Sequence, residues 1–390
     1  MFRGKRHTTY PLLPFSQLVH DMTRFMPGIY TFTQEFVVRG GASQLKKVEQ
    51  ALRTALFNHP VFQSAIDWRG RQYPTQLADI LHGKYHSIDL QAKNGDLYIR
   101  CSASRILGDG QSLRILVEDI CLAYEGKPLA ADNYWEYVSK WDESRSGKHF
   151  NDSRAWLEQE FADKAIPVRP TIDRRCLATL LPPKARALTM DHTDLRADII
   201  RLTEEHYLSL DGFFSLCAAL AIMDYCDTDA AALTWAYEGR ETPDEQHIFG
   251  SLHRDVPFVI CKEQRAKSQD NTREELMRQA RNQIRQGISH SDFPFTLTKP
   301  HTERWNYAVN VIRQTSSQAL LADIPYKVEL IQPKPQKHAY ALLDVEYYDE
   351  NDSLKIILRY SATHYKKESI QRFAKLIRHY AEWLTQWHLT

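Results

Sequence analysis

Long apolar runs are missing from this chain. No stretch approaches the roughly 20 consecutive apolar residues that a membrane span requires, and no apolar core of a signal peptide precedes Thr8-Thr9. A membrane or secreted protein is therefore not expected, and a cytoplasmic location is. Cysteine is sparse: the six residues Cys101, Cys121, Cys176, Cys217, Cys226 and Cys261 include no C-x-x-C pair. That argues against a zinc site and fits a reducing compartment. Cys101, Cys121 and Cys217 lie in apolar periodic segments and read as small buried hydrophobes. An excess of one charge is absent too, with 50 basic and 49 acidic side chains and a net charge of +1, so nothing points to a nucleic acid partner. The short basic start, Arg3-Gly-Lys-Arg-His7, reads as a solvated terminus. There is no G-x-x-x-x-G-K-[ST] phosphate loop, and Glu204-Glu205-His206 is not the H-E-x-x-H of a zinc protease. Gly40-Gly41 reads as a turn. No low-complexity tract or short-period repeat is present.

What remains is an ordinary globular composition, 43% hydrophobic and 25% charged over 390 residues, enough for two domains. Strands and helices alternate through both halves. Gly28–Arg39 reads as a strand, and Leu45, Val48, Leu52 and Leu56 recur at helical spacing in Gln44–Phe57. Asp96–Ala103 alternates Leu97, Ile99, Cys101 and Ala103 against polar neighbours. Gln111–Tyr124 is an amphipathic helix, and a second helical region runs through Arg154–Asp163. Proline clusters in Ile166-Pro-Val-Arg-Pro170 and Leu181-Pro-Pro183, which places the domain junction at 165/166, with one domain over 1–165 and another over 166–390. In the second half, Ser209–Cys226 is a strongly apolar helix, and Thr272–Gly287 is a charged helix stopped by Gly287. Strands are expected over Ala231–Tyr237, Val256–Cys261, Tyr307–Ile312, Tyr340–Tyr347 and Ser353–Tyr360. Lys367–Trp387 closes the chain as an amphipathic helix, with Trp383 and Trp387 packing against or capping it. The mixed content of two similar halves predicts an α/β (α+β) molecule of two lobes with a cleft between them.

Between the alternating strand and its amphipathic helix lies Ser104-Arg-Ile-Leu-Gly-Asp-Gly110, a sharp turn able to present side chains into a cleft. It resembles the His-His-x-x-x-Asp-Gly signature of condensation domains from non-ribosomal peptide synthetases. Asp109 and Gly110 are kept, while Ser104 and Arg105 stand where the histidines would be. Six further segments follow the family in order. Pro11-Leu-Leu-Pro-Phe-Ser-Gln17 resembles its opening Ser-x-Ala-Gln segment. The run Leu52 to Phe62 is similar to Arg-His-Glu-x-Leu-Arg, keeping His59 but carrying Pro60 and Gln63 in place of Glu and the second Arg. Tyr134-Trp-Glu-Tyr137 with Trp141 is similar to Tyr-x-Asp-Tyr…Trp. Thr234 to Arg240 resembles a strand ending in Gly-Arg. Phe249 to Pro257 resembles Gly-x-Phe-x-Asn-Thr-Leu-Pro, with Arg254 and Asp255 replacing Asn-Thr. His290-Ser-Asp292-Phe-Pro-Phe295 is similar to His-Gln-Asp-x-Pro-Phe-Glu.

The resemblance implies two chloramphenicol acetyltransferase-like lobes forming a V-shaped pseudo-dimer. A central tunnel between them admits phosphopantetheine arms from opposite faces. It implies no bound cofactor: the substrate carrier is the phosphopantetheine arm of an acyl or peptidyl carrier protein, or CoA. In the family the second motif histidine positions or deprotonates the attacking amine, and the motif Asp holds the loop through an ion pair. The motif positions here are Ser104, Arg105 and Asp109, with Asp109 structural, and Gly110, Arg254 and His338 are expected along the substrate path. Arg105 has no lone pair to accept a proton and cannot serve as a base near neutral pH. Ser104 cannot replace an imidazole without a base of its own. Arg105 could instead pair with Asp109 or another acid, fill the tunnel, or bind an anionic group. His59, His253, His290 and His338 are candidates for a relocated base, each set against a plain role as a packed histidine.

Two functions follow from the resemblance. One is a condensation-like protein that lacks the usual amide-forming chemistry and binds a carrier protein or a tailoring enzyme, such as an oxygenase. The other is an acyltransferase that joins a carrier- or CoA-bound acyl group to an amine or alcohol, helped by proximity of the bound reactants. The chain begins at Met1 and ends just after the last family helix, which fits a free-standing protein and equally an excised domain.

Overall fold

The alternation in Asp96–Ser104 forms a strand at the heart of the first unit of the computed structural model. Successive side chains of a strand point to opposite faces, so Leu97 is fully buried while its polar neighbours face outward. This strand pairs antiparallel with Thr31–Val38 on one side and His86–Lys93 on the other. Val328–Ile331, from much further along the chain, extends the sheet beyond Thr31–Val38. A smaller antiparallel sheet joins Tyr10–Pro11, Arg71–Pro74 and Ser64–Ile66. Helix Leu45–Asn58 buries Ala51, Leu52, Ala55 and Leu56, four positions one helical turn or less apart, and packs against helix Gly110–Tyr124. Helices Pro14–Phe25 and Tyr134–Ser144 complete the unit. It comprises residues 1–147 and 238–253 with the strand at 328–331. The structure describes residues 8–25, 30–161, 166–174, 184–262, 269–298, 308–314, 328–331, 342–350 and 352–386.

The second unit is built on a six-stranded mixed sheet. Its order is Ala185–Asp191, Ser353–Ser361, Leu343–Glu350, Asn310–Arg313, Ala230–Tyr237, Arg254–Cys261. Asn310–Arg313 runs parallel to both its neighbours and the other pairs are antiparallel. Helix Leu210–Cys226 is apolar almost all round because it is buried all round. Every residue from Gly212 to Met223 is inaccessible to solvent, and the helix packs against the sheet and against helices Gln269–Ser289 and Lys367–Thr385. Ser209 caps its start, accepting the Gly212 amide at 3.1 Å, as expected for a first-turn donor that has no partner within the helix. Helix Lys367–Thr385 sinks Ile370, Phe373, Ala374, Ile377, Ala381 and Leu384 into the same core. Trp383 packs partly buried against that core, with the Arg273 guanidinium 4.7 Å from its ring; Trp387 lies outside the described residues. Among the described residues no single helix is long and apolar enough to cross a membrane.

Three sequence expectations change. The junction expected at 165/166 falls inside the second unit, which starts at Lys148. The reason is packing: Leu157 and Phe161 of helix Lys148–Phe161 form one apolar cluster with Val168, Ala232, Val259, Phe293 and Phe295. The prolines at 167 and 170 therefore connect elements within a unit. Gly287 does not stop its helix, which continues to Ser289; it marks a close approach. A Cβ at 287 would stand 2.3 Å from Val256 Cγ1. Gly287→Ala is thus expected to lower the urea midpoint, because overpacking of about 1–3 kcal/mol outweighs a helix-propensity gain of about 1 kcal/mol. An unchanged midpoint would show that the strand yields for no more than the propensity gain, and a raised one that it yields at no cost. Finally, of the three cysteines read as buried, only Cys217 is fully so; Cys101 and Cys121 are half-buried.

Candidate functional site

The strand Asp96–Ser104 ends where the motif begins, and the helix starts at Gly110. Asp109 is the N-cap. Its Oδ1 accepts the Ser112 amide at 3.0 Å, and its own amide donates to Ser112 Oγ at 3.2 Å, a reciprocal capping box. A second set of partners comes from residues 238–253, which leave the second unit's sheet after Tyr237 and return to it at Arg254. Arg240, whose side chain is fully buried, grips both Asp109 oxygens, Nη1 to Oδ2 and Nη2 to Oδ1, each at 3.1 Å. Asp109 Oδ2 also accepts the amides of Leu252 at 2.9 Å and His253 at 3.1 Å. Arg240 Nη2 reaches the Ile248 and Gly250 carbonyls at 3.1 and 3.0 Å, and the Gly250 amide donates to Ser112 Oγ at 3.2 Å.

Burial alone pushes the Asp109 carboxyl upward. The Arg240 guanidinium, then the charge at His253 and the hydrogen bonds, outweigh it and hold Asp109 below the ordinary carboxylate value. Asp109 is therefore an ionised anchor with its oxygens committed to the protein itself. Its ion-pair partner is Arg240, 131 residues away. Pairing with Arg105, one of the options open from the sequence, is not what the structure shows.

Ser104 is buried at the strand end, and its hydroxyl oxygen accepts the Ile106 amide at 3.3 Å. Arg105 is half-buried, with its amide donating to the Tyr30 carbonyl at 2.8 Å. Gly110 is exposed at the first helical position. Arg254 belongs to the second unit, where Nη1 donates to Ser291 Oγ at 2.9 Å and lies 3.4 Å from Asp292 Oδ1. His338 lies outside the described residues.

The histidines sort by environment. His59 is fully buried between Asp132, 2.8 Å from Nδ1, and Asp119, 3.3 Å from Nε2. His290 stacks on Trp156 at 4.2 Å with Nδ1 3.3 Å from Ser153 Oγ, and burial holds its pKa below the ordinary value. His253 meets Phe15 edge-on at 4.2 Å, with Nδ1 3.5 Å from Ser251 Oγ, and its backbone amide is bound to the motif carboxylate. The sequence reading noticed Gly239-Arg240 and His59 as segments but missed Ser112 and Asp132 altogether, because nothing local marks a serine or an aspartate as a long-range partner. Among the described residues no group of His, Cys, Asp or Glu is arranged to hold a metal ion.

The chain thus combines a strand–loop–helix turn closed by a buried Asp–Arg pair with an α/β fold of two units. The condensation-domain family model matches residues 90–386, and the chain belongs to that family. Solved structures agree in fold. The starter condensation domain of rhizomide synthetase, a doubly substituted variant solved with C8-CoA and Leu-SNAC, shares 14% identity over 97% of this chain and 94% of that one, with a TM-score of 0.75. The epimerization domain from the third module of tyrocidine synthetase B shares 16% over 99% of each chain, with a TM-score of 0.74. The X-domain from teicoplanin biosynthesis shares 16% over 98% of this chain and 95% of that one, with a TM-score of 0.73. No curated protein sequence matches the chain. The fold is the chloramphenicol acetyltransferase-like α/β fold expected from the sequence.

Proposed function

We propose that this condensation-family protein serves a non-ribosomal peptide or related natural-product pathway without the usual amide-forming chemistry at its motif. It acts by binding an acyl or peptidyl carrier protein, or a tailoring enzyme brought to the carrier-bound intermediate. One observation carries this reading. The motif loop is retained as a structure, with Asp109 held by Arg240, Ser112, Leu252 and His253, while neither histidine position offers a base. The Ser104 hydroxyl, which accepts the Ile106 amide, is no base near neutral pH without one of its own, and a guanidinium at 105 has no lone pair for a proton. The phosphopantetheine arm of the carrier, or CoA, is the group such a protein would meet; the starter domain above was solved with C8-CoA.

A second reading, an acyltransferase joining a carrier- or CoA-bound acyl group to an amine or alcohol, is favoured by one feature. His253 places an imidazole on the residue whose amide is bound by the motif carboxylate. One experiment separates the two. The native protein and the double variant Ser104→His/Arg105→His are given an acyl N-acetylcysteamine thioester and an amine acceptor. The binding reading expects no amide from the native protein and product from the double variant. Amide formation by the native protein that is lost in Arg105→Ala or His253→Ala sinks the binding reading in favour of transfer.

A further inference from the structure

A second buried carboxylate reads the backbone of the segment 238–253, and this one is governed by a histidine. Asp132, with no side-chain exposure, accepts the Phe249 amide through Oδ2 at 3.0 Å and the Tyr134 amide through Oδ1 at 2.9 Å. The same Oδ2 lies 2.8 Å from His59 Nδ1. The far side of the imidazole faces Asp119 of helix Gly110–Tyr124, Nε2 to Oδ2 at 3.3 Å, outside good hydrogen-bond alignment. Asp119 Oδ2 also accepts the Asn58 side-chain Nδ2–H at 3.0 Å. The Phe249 ring lies 5.2 Å from the imidazole and the Phe62 ring 6.3 Å. His59 thus joins three elements of the first unit: the end of helix Leu45–Asn58, the helix that starts at the motif, and the loop before helix Tyr134–Ser144.

We infer that His59 is a proton-operated clasp, which as imidazolium holds Asp119 and Asp132 together and through Asp132 secures the Phe249 backbone. The physical argument is local. As a cation, His59 donates from Nδ1 to Asp132 and turns a positively charged ring edge toward Asp119. When it is neutral, with the proton kept on Nδ1 by Asp132, the lone pair of Nε2 faces the Asp119 oxygen. A buried pair of acceptors then replaces an attraction, and two anions are left without a counter-charge. Among the described residues, the neighbouring elements supply no substitute cation. The short helix after His59 contributes Phe62, and the segment 248–253 contributes Phe249. Helix Gly110–Tyr124 contributes Asp119, and the loop before Tyr134 contributes Asp132. His86 touches Phe62, and burial lowers its pKa below the ordinary histidine value, away from the charged form. Burial opposes the charged form of His59 most, yet the Asp119 and Asp132 contacts exceed it and raise the histidine above its ordinary value. The sign follows. A histidine raised in the closed state contributes stability that is complete below about pH 6.5, its ordinary value, and is lost as pH rises through the raised one. This device holds whether the protein binds or transfers, since it concerns only the seating of 238–253 on its own unit.

The test uses the full chain, labelled with ¹⁵N-histidine, titrated by NMR, with amide exchange of the peptide containing Phe249 followed in parallel. His59 is expected to titrate above the ordinary histidine value. Protection at Phe249, corrected for intrinsic exchange, should fall by up to about tenfold per pH unit across that interval, while protection of the Ser104 amide, bonded to the Tyr85 carbonyl, stays constant. Asp119→Asn should move the His59 titration down and the protection change with it. A His59 already neutral at pH 6, or Phe249 protection flat through the His59 titration, overturns the inference. The native protein alone supplies both readouts should Asp119→Asn fail to fold.

Discussion

Replacing Arg240 by Met is expected to cost the first unit about 3–5 kcal/mol, the loss typical of breaking one side of a buried ion pair. The size follows from what stays behind. Asp109 has a side chain only 6% exposed, and without the guanidinium its charge is buried beside backbone amides and the Ser112 hydroxyl, with no cation paired to it. It must then take up a proton or draw in water, and either response disturbs the Ser112, Leu252 and His253 amides that now converge on it. Arg240→Lys should fall between, since an ammonium cannot span both oxygens as the planar fork does. Urea unfolding followed separately for the two units is the measurement, because a chain of two units need not unfold in one step. The carboxylate adds a pH signature. Its folded pKa is depressed, so the stabilisation is present above the ordinary carboxylate value and fades as pH falls through the depressed one; Arg240→Met should lose that part of the acid dependence. A variant with the native midpoint would show that the ion pair is dispensable and that backbone amides suffice to hold the loop.

That pair also shows how far the sequence could be read. The elements beside it were legible because each is written in a local period. Leu97, Ile99, Cys101 and Ala103 alternate, and the strand runs Asp96–Ser104; the helix expected from Gln111 starts one residue earlier. The chain's resemblance to condensation domains likewise rested on ordered local segments, and the family match covers most of them. Contacts between distant segments carry no such period. Arg240 and Asp109 are 131 residues apart and His59 and Asp132 are 73 apart, so no spacing rule joins them. The strand at 328–331 lay hidden for the same reason, since it extends a sheet made by the first third of the chain. Proline misled at 165/166, where the chemistry of a linker coincides with apolar neighbours, Val168 among them, that tie the segment into the second unit. Gly287 misled in the same way, since a glycine that ends helices also serves where a helix must touch a strand.

Lowering the pH from 7 to 4 should remove about 3 kcal/mol from the second unit through one residue, His192, and His192→Leu should abolish that loss. His192 is fully buried after strand Ala185–Asp191, with its backbone amide donating to the Leu354 carbonyl at 2.8 Å. Neither ring nitrogen has a hydrogen-bond partner. Burial, and next the Arg378 charge, hold its pKa down to about 4, against the combined pull of Asp194, Glu382 and Asp191. The unfolded chain takes a proton near pH 6.5 that the folded one refuses until about pH 4. Stability therefore falls with pH over that interval, and a difference of about 2.5 units at 1.36 kcal/mol each gives the stated loss. Leucine removes the titration, and it also removes two polar atoms buried without partners, so it should be at least as stable as the native chain at pH 7. The measurement is the stability difference between native and variant by urea unfolding at pH 7, 6, 5 and 4. A gap that widens toward acid confirms the neutral buried imidazole; a constant gap means that His192 keeps a proton or a partner when folded. His59 runs the other way, favouring acid where His192 penalises it. Acid should therefore cost the second unit through His192, and the seating of residues 238–253 on the first should loosen at alkaline pH through His59.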